Sequence, residues 1–361
     1  MSNNLWSNAS SRCLVATLRG HVDGVSAVHF WNTSQYLISG DYSGNLKLWD
    51  IHQRVACWTD EKTHNKSAIM QIYSSPFAME SFYAHDKTGL VVEYKLVGGS
   101  MVKTSQTTTN NDIPLRAMQK FSTGFIGICR GSMFHNLLAV ATSIPQDLLV
   151  IYDISQSLEK PIISFDYNQS GHCGLCTLVG FIDEQVVMTL HEDGSIKLWS
   201  LNRQEMIQHL KVADAGTLLS FDIYGKHSSS GITSVWIGGS KKILVLLEWD
   251  GHKLKEEYRQ VVLKRSGLGD VVVRQDGVYV YVYICALMKY LERILAVAHW
   301  DAKVRLYEIQ NNFRQLATLP HDQSGLRIQF APRDSLLACG TLDGRVYLWN
   351  PYPMANNGDN S

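Results

Sequence analysis

From Ile294 to Pro353 short runs of alternating apolar and polar residues are broken by polar turns, and the same order occurs twice. The run ILAVAHW leads through Asp301-Ala302 into KVRLYEI, and LLACGTL leads through Asp343-Gly344 into RVYLWN, so each second run ends near an aromatic, Tyr307 or Trp349. Two alternating runs across a short Asp-Gly type turn predict a β-hairpin. Between the copies, Leu326, Ile328 and Phe330 alternate ahead of the turn Ala331-Pro332-Arg333-Asp334, which adds a third strand to the unit. Leu319-Pro320-His321 sits between the copies, and at a repeat of roughly 40–45 residues the unit reads as a small four-stranded sheet. Such a sheet cannot bury both faces alone, so copies must stack around an axis.

Similar copies run through the chain. Val25 to Phe30, Tyr36 to Ser39, Gly44 to Asp50 and Val55 to Trp58 form a clear first unit; Ala68 to Tyr73, Ser81 to Ala84 and Gly89 to Tyr94 form a second. Gly124 to Cys129, Leu137 to Ala141 and Leu148 to Asp153 make a third. A fourth comprises Leu175 to Phe181, Val186 to Thr189 and His191 to Trp199; a fifth runs from Leu218 to Arg259, a sixth from Gly267, and a seventh ends at Trp349. The spacing of Asp301 and Asp343 fits the roughly 40–45-residue period of WD40 blades. The predicted fold is therefore all-β, a seven-bladed WD40 β-propeller. Its last blade lacks an outer strand, and Cys13 to Leu18, placed ahead of Arg19-Gly20-His21, can supply it and close the ring without an exposed edge.

The expected layout is a polar tail over residues 1–12, one propeller over 13–353 and a second tail over 354–361. Val278 to Arg293, VYVYVYICALMKYLER, interrupts the Asp276-Gly277 turn of blade six. An apolar insert is ill suited to a loop. Val-Tyr repeats are what a GT-rich stretch with a splice-donor start would encode, so the segment reads as a retained intron, and its removal restores a regular blade.

In blade four, His172, Thr189, Asp193 and Trp199 supply the side chains for a buried hydrogen-bonded tetrad, a structural device that keeps polar groups paired. Blade one offers His21, Ser39 and Trp49 with Ser43 at the acid position; blade seven offers His321, Asp343 and Trp349 with Cys339 at the hydroxyl position.

The 361 residues are 45% hydrophobic and 18% charged, with 33 basic and 33 acidic side chains. That balance argues against a generally basic nucleic-acid surface or a polybasic membrane anchor. No charged leader with an apolar core opens the chain and no apolar run reaches membrane-spanning length, so an intracellular protein with reduced thiols is expected. Phosphate-binding glycine loops and the Gly-x-Ser-x-Gly elbow are absent, and no enzyme, catalytic residue, cofactor or metal is expected. Cys173 and Cys176 beside His172 fall on a blade strand and read as core. Trp300 with Asp301 and Arg305, and next Arg274, are the candidate partner-binding side chains, since exposed Trp and Arg dominate interface energetics.

Beyond the repeat pattern, the last third resembles the family of guanine-nucleotide-binding-protein β-subunit-like protein 1 and ASTRA-associated protein 1. Arg265-Ser266-Gly267, Val273-Arg274-Gln275-Asp276, Ile294 to Asp301, Val304-Arg305-Leu306-Tyr307, Leu337 to Gly340 and Pro351-Tyr352-Pro353 carry the resemblance. The family has Ala-Gly-Trp-Asp where this chain has Ala298-His299-Trp300-Asp301. The resemblance implies a non-enzymatic adaptor of the Tel2-Tti1-Tti2 co-chaperone in maturation of PI3-kinase-related kinases. It further implies a chromatin-linked role, a cytoplasmic and nuclear location, no direct nucleic acid or membrane contact, and a monomer within a hetero-complex. The alternatives are a WD40 substrate receptor of a cullin-type ubiquitin ligase and a heterotrimeric Gβ-like subunit; the latter needs a coiled-coil helix that the residues before Cys13 do not supply.

Overall fold

The computed structural model describes residues 13–31, 34–75, 78–97, 113–124, 127–143, 146–156, 160–169, 171–213, 215–224, 233–255, 259–274, 294–309, 313–332 and 334–351. The expected tails, residues 1–12 and 354–361, and the insert 278–293 lie outside them. Among the described residues, seven four-stranded antiparallel sheets form a seven-bladed β-propeller. Six sheets are continuous in sequence. The seventh takes Gly325–Phe330, Leu337–Thr341 and Arg345–Trp349 from one end of the chain and Leu14–Arg19 from the other. Leu14 lies opposite Trp349 and Arg19 opposite Arg345, so the expected closure by the N-terminal strand is present.

The strand character follows from period-2 alternation of branched and aromatic residues, which places one set of side chains against each neighbouring blade. Leu46, Leu48, Ile38 and Trp31 of blade one pack with Ile69, Phe82 and Tyr94 of blade two, while Leu37 and Trp49 pack with Val346 and Leu348 of blade seven. Each blade thus buries both faces, and the inner strand Val25–Trp31 touches both Ile69–Ser74 and Gly325–Phe330.

Two local expectations change. The inner strand of blade three is Ser132–Phe134, not Gly124 to Cys129. The chain instead crosses there from blade two: Gly127 N–H donates to the Lys87 carbonyl, and Arg130 makes a parallel bridge to Leu178 of blade four. The hydrogen bonds therefore go to neighbouring blades rather than to Leu137–Thr142. In blade six, Leu268–Val273 and Ile294–His299 pair as a hairpin with Val273 opposite Leu295, so the chain leaves and rejoins the sheet at one point on either side of residues 275–293.

Six inner strands carry a bulge near their start. The register shifts between Val25 and Ala27, Ile69 and Gln71, Cys176 and Leu178, Leu218 and Ser220, Leu268 and Asp270, and Gly325 and Arg327. A bulge leaves one residue unpaired and re-aims its side chain. The unpaired residues, Ser26, Met70, Thr177, Leu219, Gly269 and Leu326, all line one cavity at the mouth of the central channel. The ring of bulges is what shapes that mouth.

Candidate functional site

Two constellations bear on function: the polar clusters that lock the blades and the channel mouth. In blade one His21 Nδ1 lies 2.8 Å from Asp41 Oδ2 and Nε2 lies 2.6 Å from Ser39 Oγ, which also accepts the Trp49 indole N–H at 2.7 Å. Asp41 further accepts the amides of Ser43 and Asn45 and the Asn45 side chain. Burial alone would raise the Asp41 carboxyl; the bonds from His21 and Asn45 outweigh it and hold the pKa below the ordinary value. The acid is thus Asp41, the last residue of the second strand, and not Ser43, whose hydroxyl donates to Asp23.

Blade four departs from the expected set. His172 is exposed, and the imidazole against Thr189 belongs to His191, whose Nε2 is 3.0 Å from Thr189 Oγ1. Trp199 donates its indole N–H to the same hydroxyl at 3.0 Å, and Cys173 Sγ stands 3.1 Å from His191 Nδ1. Thr189 and Trp199 occupy their expected places; His172 and Asp193 do not. His191 ends its strand where Asp41 ends its own, so the acid position is filled by a base and the loop position by a thiol. Asp193 lies one turn outward, accepting from Lys211 Nζ at 2.9 Å and Ser195 N at 2.9 Å. Burial pushes the Asp193 carboxyl up, but those two bonds dominate and bring it down to about 2. Burial, helped by the nearby Lys197 charge, lowers His191 to about 4.

Blade two has a cluster the sequence reading missed. His64 Nδ1 is 2.8 Å from Asp86 Oδ2, but Ala84 occupies the place of Ser39 and His64 Nε2 has no partner. The signal was available, since Asp86 ends its second strand as Asp41 does. In blade six His299 takes that position with both ring nitrogens unpartnered, Val297 standing where a hydroxyl would be. In blade seven the position belongs to Thr341, whose hydroxyl bonds Asp343, and His321 turns to the Gln323 carbonyl.

The four candidate partner-binding residues separate sharply. Trp300 is 51% exposed. Its amide donates to the Gly267 carbonyl at 2.9 Å and its carbonyl accepts from Ser324 Oγ at 2.8 Å, which fixes the turn on both sides. Gly267 has φ +77, and a Cβ there would come within 2.5 Å of the indole, so glycine makes room for this ring. Arg305, by contrast, is 7% exposed and makes a bidentate pair with Asp301, Nη1 to Oδ1 at 2.9 Å and Nη2 to Oδ2 at 2.6 Å. That pair lowers the Asp301 carboxyl pKa and raises that of Arg305. Arg305 and Asp301 therefore hold the turn under Trp300. Arg274 is buried at the far end of its strand, its amide bonded to the Ile294 carbonyl.

Trp300 also forms part of the channel mouth, a cavity of about 870 Å³. Tyr42, Ile128 and Leu342, each 40% exposed or more, share its rim. Arg130 and Arg327 line it from within, and Lys66 and Lys87 from the edge. Among the described residues no three His, Cys, Asp or Glu side chains are grouped to hold a metal ion, and no helix is long and apolar enough to cross a membrane.

Comparison with known proteins places these features. The family model described as WD domain, G-beta repeat matches residues 12–50 and 313–350. Over 356 residues, 93% of this chain and 95% of the other, the sequence is 21% identical to guanine nucleotide-binding protein subunit beta-like protein 1 of Mus musculus. It is 21% identical over 367 residues to ASTRA-associated protein 1 of Aspergillus flavus, covering 85% of this chain and 80% of that one. A 61-residue stretch, 17% of this chain, is 34% identical to 7% of the periodic tryptophan protein 2 homolog of Mus musculus.

Proposed function

Since the chain carries WD40 repeats on a seven-bladed propeller, we propose that it is a non-enzymatic scaffold of an ASTRA-like complex, acting with a Tel2-Tti1-Tti2-type co-chaperone in the maturation of PI3-kinase-related kinases. The near full-length similarity to ASTRA-associated protein 1 and to the Gβ-like protein supports this reading. The observation that carries it on the structural side is Trp300. A large aromatic held half-exposed on a turn pinned by Gly267, Ser324 and the Asp301–Arg305 pair is an interface anchor in form, because its ordering is complete before a partner arrives. A cytoplasmic and nuclear location and a chromatin-linked role belong to the same proposal.

Arg305 and Arg274 leave the set of primary anchors, since both are buried and truncating Arg305 would strand the Asp301 carboxylate. The test is a pulldown of tagged wild type against Trp300→Ala with quantitative mass spectrometry. The co-chaperone and its kinases should come down with the wild type and fall at least about tenfold with the variant, given the ~2 kcal/mol or more that a central anchor contributes. Recovery of cullin adaptors in place of the co-chaperone would replace this function with the ligase-receptor reading.

A further inference from the structure

The protein as a whole carries no net charge, 33 basic against 33 acidic residues, yet the wall of the channel mouth does not share that balance. Among the described residues Lys66, Lys87, Arg130 and Arg327 line it and no Asp or Glu does. Behind the wall Asp270 is already engaged: it accepts from Ser220 Oγ at 2.5 Å, from Arg130 Nη1 at 3.3 Å and from the Ile328 amide at 3.1 Å. Arg130 is thereby neutralised, and its other Nη donates to the Leu219 carbonyl.

Arg327 is not. Its Nη1 reaches only carbonyls, Leu326 at 2.9 Å and Gly269 at 3.5 Å, and its Nε is buried without a partner. Burial, with the like charge of Arg130 added and only partly offset by Asp270 and Tyr42, lowers its pKa to about 9. Lys66 and Lys87 are exposed at the edge and make no ion pair among the described residues. Asn65 and Lys66 both have left-handed backbone, φ 44 and 61, in a turn tied down by His64, whose ring bonds Asp86. The lysine is thus presented by a fixed loop. Around these cations stand Tyr42, Ile128, Trp300 and Leu342, four exposed apolar side chains gathered on one rim, the clustered kind of exposure that marks an interaction site.

We propose that the channel mouth is the receptor for an acidic segment of a partner protein, one carboxylate seated against Arg327 and flanking apolar side chains resting on Tyr42, Ile128, Trp300 and Leu342. The inference rests on the scaffold reading, because it takes the Trp300 face as the docking face, and it adds the chemistry of what docks. About 870 Å³ is of the size that holds a compact ligand group. A buried cation without an ion pair of its own and two cations at the rim suit a short run of carboxylates entering end-on. A nucleic acid would want a continuous basic track for its regular phosphates, and the apolar rim would go unused. Inorganic phosphate would leave the same rim empty.

The probe is a fluorescein-labelled synthetic peptide alternating Asp with Leu and Phe, compared with its counterpart carrying Asn for every Asp, both read by fluorescence anisotropy on the full chain. The Asp peptide should bind, and the Asn peptide at least about tenfold more weakly. Arg327→Gln should weaken the Asp peptide by a similar factor. If that variant fails to fold, Lys66→Glu with Lys87→Glu alters only exposed side chains and should also weaken it about tenfold. Equal binding of the two peptides, no response to the Lys66→Glu, Lys87→Glu pair, or no binding of the Asp peptide at about millimolar concentration would each overturn the proposal. So would displacement of the peptide by equimolar inorganic phosphate or by a single-stranded oligonucleotide. Recovery of the co-chaperone without peptide binding removes this inference alone; peptide binding without the co-chaperone removes the kinase-maturation role alone.

Discussion

In blade one the imidazole reaches in from the loop ahead of the sheet and a carboxylate ends the second strand; in blade four the strand end carries the imidazole and the loop carries a thiol. The indole and hydroxyl halves are unchanged, Trp49 on Ser39 and Trp199 on Thr189. Both arrangements satisfy the buried groups, but only the first contains a carboxylate; the charge beside the second is the buried Lys197, which disfavours a proton on His191. Asp41 therefore holds four donors together at full charge-assisted strength, whereas His191 works as a neutral ring. What the fold requires at these positions is a closed chain of hydrogen bonds, and the residue types can be exchanged if the chain stays closed.

The largest expected effect breaks that contrast at its charged end. Asp41→Ala leaves His21 Nδ1, the Asn45 side chain and two turn amides without an acceptor, all within a buried cluster, and should cost about 3–5 kcal/mol in urea unfolding. Asp193→Ala removes a contact to a largely exposed lysine and one turn amide, so about 1 kcal/mol or less is expected. Equal costs would mean that Asp193 does for blade four what Asp41 does for blade one, which its bond to Lys211 argues against.

These two aspartates also show what could be read in advance. Period-2 alternation located most of the buried strands, and the missing fourth strand of blade seven pointed to Leu14–Arg19, because burial of alternate side chains leaves a one-dimensional trace; the outer strands Leu115–Ser122, Ile163–Asp166 and Glu205–Lys211, less buried and less alternating, left none. Trp49, Trp199 and Trp349 were legible for the same reason. The partners of a tetrad are not, since the Gly171-His172 pair looks like Gly20-His21 while only distances in space separate an exposed His172 from a buried His191. Arg327 was invisible too: alternation put Leu326, Ile328 and Phe330 on one face, and the bulge at Leu326 breaks that alternation and turns the arginine toward the channel. Trp300 stood out by its charged neighbours, but those neighbours proved to be bonded to each other.

A smaller effect separates the two blades by pH. His85, His191 and His299 are buried and each lowered to about 4, in every case by burial first. They stay neutral in the folded chain while the unfolded chain takes up protons below its ordinary histidine value of about 6.5. The unfolded state thus binds more protons between about pH 6.5 and 4, and stability falls as pH falls through that window, by ~2 kcal/mol per histidine at about pH 5. Asp41 behaves otherwise. Its depressed carboxyl contributes stability above the ordinary Asp value of about 4 and loses it only as pH falls through the lower folded value. Melting temperatures from about pH 7.5 to 5 should decline, and His299→Leu, which removes an imidazole bonded to nothing, should flatten the decline. An unchanged slope in that variant would show that His299 gains a proton or a partner in the folded state.

The smallest effect tests whether an open chain can be closed. Blade two keeps the charged half of the blade-one arrangement, His64 on Asp86, but Ala84 offers no oxygen to His64 Nε2. Ser39 fills the matching place in blade one, two residues before the aspartate at the end of its strand. Ala84→Ser therefore puts a hydroxyl where the unpaired nitrogen is, adding one buried hydrogen bond worth about 0.5–1.5 kcal/mol. Tyr94 stands where Trp49 would donate to that oxygen and instead sends its own hydroxyl to Asp60, 2.8 Å away, so the new serine gains one partner rather than two and the lower end of the range is expected. A urea midpoint that rises with an unchanged slope supports the closed-chain account. A drop would show that the site, fully buried at Ala84, lacks room for one more oxygen and that blade two is tuned for packing instead.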